Sequence, residues 1–196
     1  MPLAASILWR RLDAPGHDAC SLKHTGETWL LQGTSVFRHD GQPACLHYLV
    51  ECNADWESLH GALHGFIGRN GVEQQITRSD GIWILNGTPQ SGVDSCLDLD
   101  LGFTPATNLS QLRRVPLAVG QSAEIDVAWL DPATNRLVLL PQRYERRTET
   151  EYWYEAPSVG YQGLLEVGPS GFIRHYPTLW RAETSGDAPL ADRAPL

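Results

Sequence analysis

With 196 residues, 42% apolar and 19% charged, the chain has a globular make-up, and this length buries about 70% of its unfolded surface without a disulfide or metal staple. Its formal charge of −8 is spread along the sequence, which disfavours nucleic acid and anionic membrane surfaces as partners. No apolar run approaches the about 18 residues of a membrane span.

The opening MPLAASILWRRL has no basic region ahead of its apolar residues, and Trp9-Arg10-Arg11 comes too early for a signal peptide. Cys20, Cys45, Cys52 and Cys96 are scattered and read as reduced thiols. A cytoplasmic location is therefore expected. Period-two alternation then dominates. In ETWLLQGTSVF, Trp29, Leu31, Gly33, Ser35 and Phe37 oppose Leu30, Gln32, Thr34 and Val36. In CLHYLVEC, Leu46, Tyr48, Val50 and Cys52 share a face. Ile125, Val127 and Trp129 do so in AEIDVAWLD, as do Tyr161, Leu165 and Val167 in YQGLLEVG. Each run predicts a half-buried strand. Asp40-Gly41, Arg69-Asn70-Gly71, Asp80-Gly81 and Asn86-Gly87 supply hairpin turns between them. The pattern predicts a mainly β fold of about ten to twelve strands, a single antiparallel curved sheet forming a spiral roll or half-barrel. One domain over residues 1–184 and a loose tail over 185–196 are expected.

The stretch CLDLDLGFTPATNLSQLRRV interrupts the alternation. Asp98 and Asp100 share a strand face with Cys96, about 7 Å apart at strand rise, while Leu97, Leu99 and Leu101 occupy the other. One or two helical turns follow, with Asn108 as N-cap, Gln111 three residues on as in a capping box, and Pro116 as the stop. The aspartates suit a buried clasp with Arg113 and Arg114. Paired carboxylates also suit hydrolysis of a glycoside or ester, the alternative reading.

Other candidates carry less. His60 and His64 have the spacing of metal ligands on a helix, but Gly61, Gly65 and Gly68 favour a strand and solvated imidazoles. No nucleophile elbow, phosphate loop, dinucleotide fingerprint or CxxC pair is present, so neither a catalytic residue, a metal nor a cofactor is assigned. In QRYERRTETEYWYE, Tyr144, Arg146, Thr148, Thr150, Tyr152 and Tyr154 alternate with mainly charged residues. A row with aromatic ends and a polar middle suits the wall of a ligand cavity.

The residues Asp98, Asp100, Gly102, Thr104, Pro105, Thr107, Asn108, Arg113 and Arg114 resemble the hallmark of a bacterial family, the putative glycolipid-binding family. Weaker flanks agree: Trp9-Arg10, the Tyr48 to Trp56 run, Ala128-Trp129, Gln142-x-Tyr144-x-Arg146 and Tyr176 to Trp180. The resemblance implies a curved antiparallel roll similar in shape to bacterial lipoprotein carriers, which hold acyl chains on the concave side. It transfers no catalytic residue. Those carriers work in the periplasm, whereas this chain shows no export signal.

The expected function is non-catalytic binding of an amphiphilic small molecule, such as a glycolipid or fatty-acyl conjugate. Ile125, Val127 and Trp129 are expected to supply apolar area, and Tyr144, Arg146 and Tyr152 to meet a head group. Thr104, Thr107, Asn108, Arg113 and Arg114 are expected to form the rim, with Asp98 and Asp100 holding the arginines. A structural protein with a filled interior is the third possibility.

Overall fold

The computed structural model describes residues 3–186. Ala5–Arg11 (β1), Gly16–His24 (β2), Trp29–His39 (β3), Gln42–Cys52 (β4), Ser58–Ile67 (β5), Asn70–Ser79 (β6), Ile82–Leu85 (β7) and Thr88–Gln90 (β8) form one antiparallel meander. Asp98–Leu101 (β9) and the helix Asn108–Arg114 (α1) follow. Ser122–Leu130 (β10), Leu137–Arg146 (β11), Glu151–Ala156 (β12), Tyr161–Val167 (β13), Ile173–Tyr176 (β14) and Trp180–Gly186 (β15) form a second, with a 3-10 turn at Pro157–Val159. All fifteen strands join one curved sheet, in which β1 pairs with β15 and the edges are β8 and β9.

The fold is thus the expected mainly β curved sheet, with more strands than the turn spacing predicts. One pair departs from the antiparallel rule. β9 runs parallel to β10, because the crossover through α1 returns the chain in the same direction.

Local chemistry explains the hairpins. Asp40-Gly41, Asp80-Gly81 and Asn86-Gly87 all have positive φ, as two-residue turns matching strand twist require. Between β5 and β6 the expected Arg69-Asn70-Gly71 turn is displaced: Gly68 takes the positive φ, and Asn70 already pairs with Ile67. At the chain's other end, Ser185 and Gly186 still pair in β15, so the strand outlasts the expected boundary. The rest of the tail expected to be loose lies outside the described residues.

The inner face follows the predicted alternation. Leu46, Tyr48, Val50 and Cys52 of β4 are buried, as are Trp9, Leu22, Leu31, Leu63 and Leu165. The two edges of the sheet do not pair, yet β6 and β8 are tied to the β10–β11 connection and the start of β11. Gln74 Nε2 donates to the Thr134 carbonyl (3.1 Å), and Gln90 Oε1 accepts from Leu137 N (3.1 Å). Gly33 illustrates how tightly the interior is filled. The Tyr48 hydroxyl stands where a side chain on Gly33 would go. Gly33→Ala is therefore expected to lose about 1–3 kcal/mol by overpacking, measured by urea denaturation.

Candidate functional site

The motif inserts into the interior. All four β9 residues are buried. Leu99 fills the space left by Gly61 of β5, and α1 covers the aspartates from the other side. Arg114 grips Asp98 through Nε, 3.0 Å from Oδ2, and through Nη2. Asp100 accepts from Gln142 Nε2 (2.7 Å) and Thr107 Oγ1 (3.3 Å). Burial raises the pKa of both carboxyls, and Arg114 at Asp98 and Gln142 at Asp100 pull it back down.

This differs from the predicted clasp in three respects. Arg113 holds neither Asp98 nor Asp100; its Nη2 donates to the Ser170 carbonyl (2.7 Å). Successive helical residues point about 100° apart, so the two arginines cannot share one partner face. Asn108 is not the N-cap: Thr107 occupies that position without a side-chain cap bond, its hydroxyl being committed to Asp100 and to Leu101 N. The capping box is absent for the same reason. Asn108 Nδ2 and Gln111 Oε1 instead meet the Tyr144 hydroxyl. Gln142 Oε1 lies 3.2 Å from that hydroxyl, which makes Tyr144 a buried hub between α1 and β11. Burial pushes its pKa far up, so it stays protonated.

The half-polar row is a hairpin rather than one strand. β11 ends at Arg146 and β12 begins at Glu151, so Tyr144 pairs with Tyr154 and Arg146 with Tyr152. Parity brings the same residues inward from both strands, while Arg143, Glu145 and Glu155 form ion pairs on the other face. Thr148 belongs to the turn, where it accepts from Glu151 N.

Two hollows flank α1. One, about 260 Å³, is lined by Asp100, Thr104, Asn108, Trp129, Leu140 and Trp180, among others. The other, about 650 Å³, lies at the helix C-terminus between Trp29, Trp56, Leu112, Arg113, Arg146 and Tyr152. Of the predicted site residues, Asp100, Thr104, Asn108 and Trp129 meet at the first, and Arg113, Arg146 and Tyr152 at the second. Asp98, Thr107, Arg114 and Tyr144 line neither and form the frame between them. Ile125 and Val127 are buried in the core. A groove of about 920 Å³ on the far side of β1–β5 touches none of the motif.

Paired-carboxylate hydrolysis needs an open carboxyl. Asp98 is fully buried under Arg114, and Asp100 is held by two donors. His60 and His64 sit on β5 as a strand would place them. Among the described residues, no group of three or more His, Cys, Asp or Glu is placed to hold a metal.

Two features escaped the sequence reading. Trp29 and Trp56 stack at 4.5 Å between ring centroids and wall the larger hollow. Asp18 of β2 is buried on the inner face; its Oδ1 accepts from the Tyr48 hydroxyl (2.8 Å), which in turn accepts from Thr104 Oγ1 (3.3 Å). The signal for Asp18 was present, since its parity matches Cys20 and Leu22, both buried.

Among curated proteins none matches. A crystal structure of a DUF1089 family protein from Pseudomonas aeruginosa is similar, with a TM-score of 0.74 and 25% identity, over 85% of this chain and 91% of that one. Residues 6–182 match the family described as "Putative glycolipid-binding". That match runs from within the first strand through the buried motif into the start of the last strand, so the chain belongs to the putative glycolipid-binding family.

Proposed function

We propose that this protein binds, without catalysis, an amphiphilic small molecule such as a glycolipid or fatty-acyl conjugate in the hollows flanking α1. The observation that carries the reading is the wall of the larger hollow. Its volume of about 650 Å³ falls within the usual range for ligand pockets. Trp29, Trp56, Leu112 and Leu117 give it an apolar side, and Arg146, Glu149 and Tyr152 a polar one. A molecule with one apolar and one polar part matches both. Burying an acyl chain gains about 0.8 kcal/mol per methylene, from which ordering costs are subtracted. The smaller hollow, with Leu101, Trp129, Leu140 and Leu179, offers further apolar wall. The family description points to the same ligand class. All four cysteines are free thiols, which supports a reducing compartment such as the cytoplasm. Among the described residues no helix is long and apolar enough to cross a membrane.

Native mass spectrometry of freshly purified full-length protein tests the reading. A co-purifying amphiphile, or a tryptophan-emission change on titrating glycolipids and fatty-acyl detergents, is expected. Bare protein mass together with a flat titration across the panel would overturn it.

A further inference from the structure

We infer that the smaller, 260 Å³ hollow is a site for an alkylammonium group, with Asp100 as its counter-ion. This goes beyond the amphiphile reading, since an ammonium can arrive as a free amine or as the head of an amphiphile. A charge count within the motif motivates it. The motif buries two carboxyls, and Arg114 pairs with Asp98. Asp100 accepts instead from neutral donors, Gln142 Nε2 (2.7 Å) and Thr107 Oγ1 (3.3 Å). Burial, with Asp98 adding like charge, holds its carboxyl above the usual range, so its ionised form lacks a countercharge. Among the described residues lining the hollow, Asp100 is the one charged side chain. A carboxylate offers about four acceptor sites, so two remain for a ligand.

The other polar groups around the hollow have spent their hydrogens. Thr104 Oγ1 donates to the Tyr48 hydroxyl (3.3 Å), and the Tyr161 hydroxyl donates to the Pro177 carbonyl (2.7 Å). Asn108 turns its Nδ2 to the Tyr144 hydroxyl (2.7 Å), so its carbonyl oxygen is the end left for a ligand. Thr104, Asn108 and Tyr161 therefore offer lone pairs, as Asp100 does. A primary ammonium carries three donors and no acceptor, the complement of such a lining.

Aromatic rings supply the rest of the wall. Tyr154, Tyr161 and Tyr176 stand together, with centroids between 5.0 and 5.9 Å apart. Trp129 lies against Gly102 of the motif, where a Cβ would meet its Nε1 at 2.6 Å. Rings of this kind attract a cation and cover an alkyl chain. A phosphate or carboxylate would meet Asp100 as a like charge. An alcohol brings a single hydrogen, and its own lone pairs would face those of the lining.

Calorimetric titration of the full chain at neutral pH with octylammonium, octyltrimethylammonium, octanol and butylammonium, each below any micelle concentration, tests the assignment. The trimethyl compound has the same charge without N–H donors, so it controls for general attraction to a chain of net charge −8. Octylammonium is expected to bind at least about tenfold tighter than octyltrimethylammonium or octanol. Asp100→Asn should remove that preference while leaving octanol within about twofold. Val159→Arg, at an exposed position lining the hollow, places a rival cation there and serves should Asp100→Asn fail to fold; it should weaken octylammonium about tenfold. Butylammonium binding as tightly as octylammonium supports the site and assigns it a free amine rather than an amphiphile's head. Equal binding of the three octyl compounds, or a preference that survives in whichever variants fold, overturns the ammonium site while the amphiphile reading stands. Binding of none of the four overturns both.

Discussion

Arg114→Ala is expected to lower the unfolding free energy by about 3–5 kcal/mol, read from urea denaturation with the m-value unchanged. The reason is the group left behind. Asp98 is fully buried, and truncating Arg114 strips away its ion pair and with it the main stabilisation of its charge. Asp98→Ala should cost less, because the Arg114 side chain retains 18% exposure and can regain water. Arg113→Ala should also cost less, since it leaves the Arg114–Asp98 pair intact. Combining Asp98→Leu with Arg114→Met should recover most of the loss, as replacing a buried ion pair by apolar groups of similar size often does. Equal losses for Arg113→Ala and Arg114→Ala would show that the clasp does not govern stability here.

The distinction between neighbouring arginines marks where sequence stops being informative. Alternation along β3, β4, β10 and β13 named the inner face, because a half-buried strand separates its residues by parity alone. Asp40-Gly41, Asp80-Gly81 and Asn86-Gly87 located hairpins because few other residues tolerate positive φ. The Asp98 to Arg114 stretch was legible as a strand followed by a helix. Its partners were not, since Gln142 and Tyr144 arrive from β11 and Ser170 from the loop before β14. No spacing rule encodes which strand a crossover lays beside α1. The Arg147 to Thr150 turn was hidden for a different reason: it lacks glycine and proline, so an alternating pattern runs through it unbroken. The larger hollow was hidden because Trp29 and Trp56 come together only through folding. Most of the fold could thus be read from the chain, whereas the site could be read only in its local half.

Asp18→Asn is expected to be stabilising at neutral pH and nearly neutral at pH 4. Burial drives the Asp18 carboxyl up to about 7, with the hydrogen bond from Tyr48 offsetting part of the effect. Its ordinary value is 3.8, so between about pH 4 and 7 the unfolded chain releases a proton that the fold retains. Stability from this group is therefore unpenalised below 3.8, falls as pH rises to about 7, and is level beyond that. At about 1.4 kcal/mol per pH unit, the cost reaches about 4 kcal/mol. Asparagine does not titrate and fits the surroundings: its Oδ1 can accept from Tyr48, and its amide can donate toward Ser35. Ser35 lies directly opposite on β3, and its Oγ has no hydrogen-bond partner, nor has Asp18 Oδ2. Asp98 and Asp100 also resist ionisation, but they do so in both proteins, so the difference between the two stability curves isolates Asp18. Denaturation of both at pH 4, 6 and 8 should show the variant's advantage growing with pH. An advantage that stays constant from pH 4 to 8 would mean that Asp18 is already ionised inside the fold, with its charge held by Tyr48.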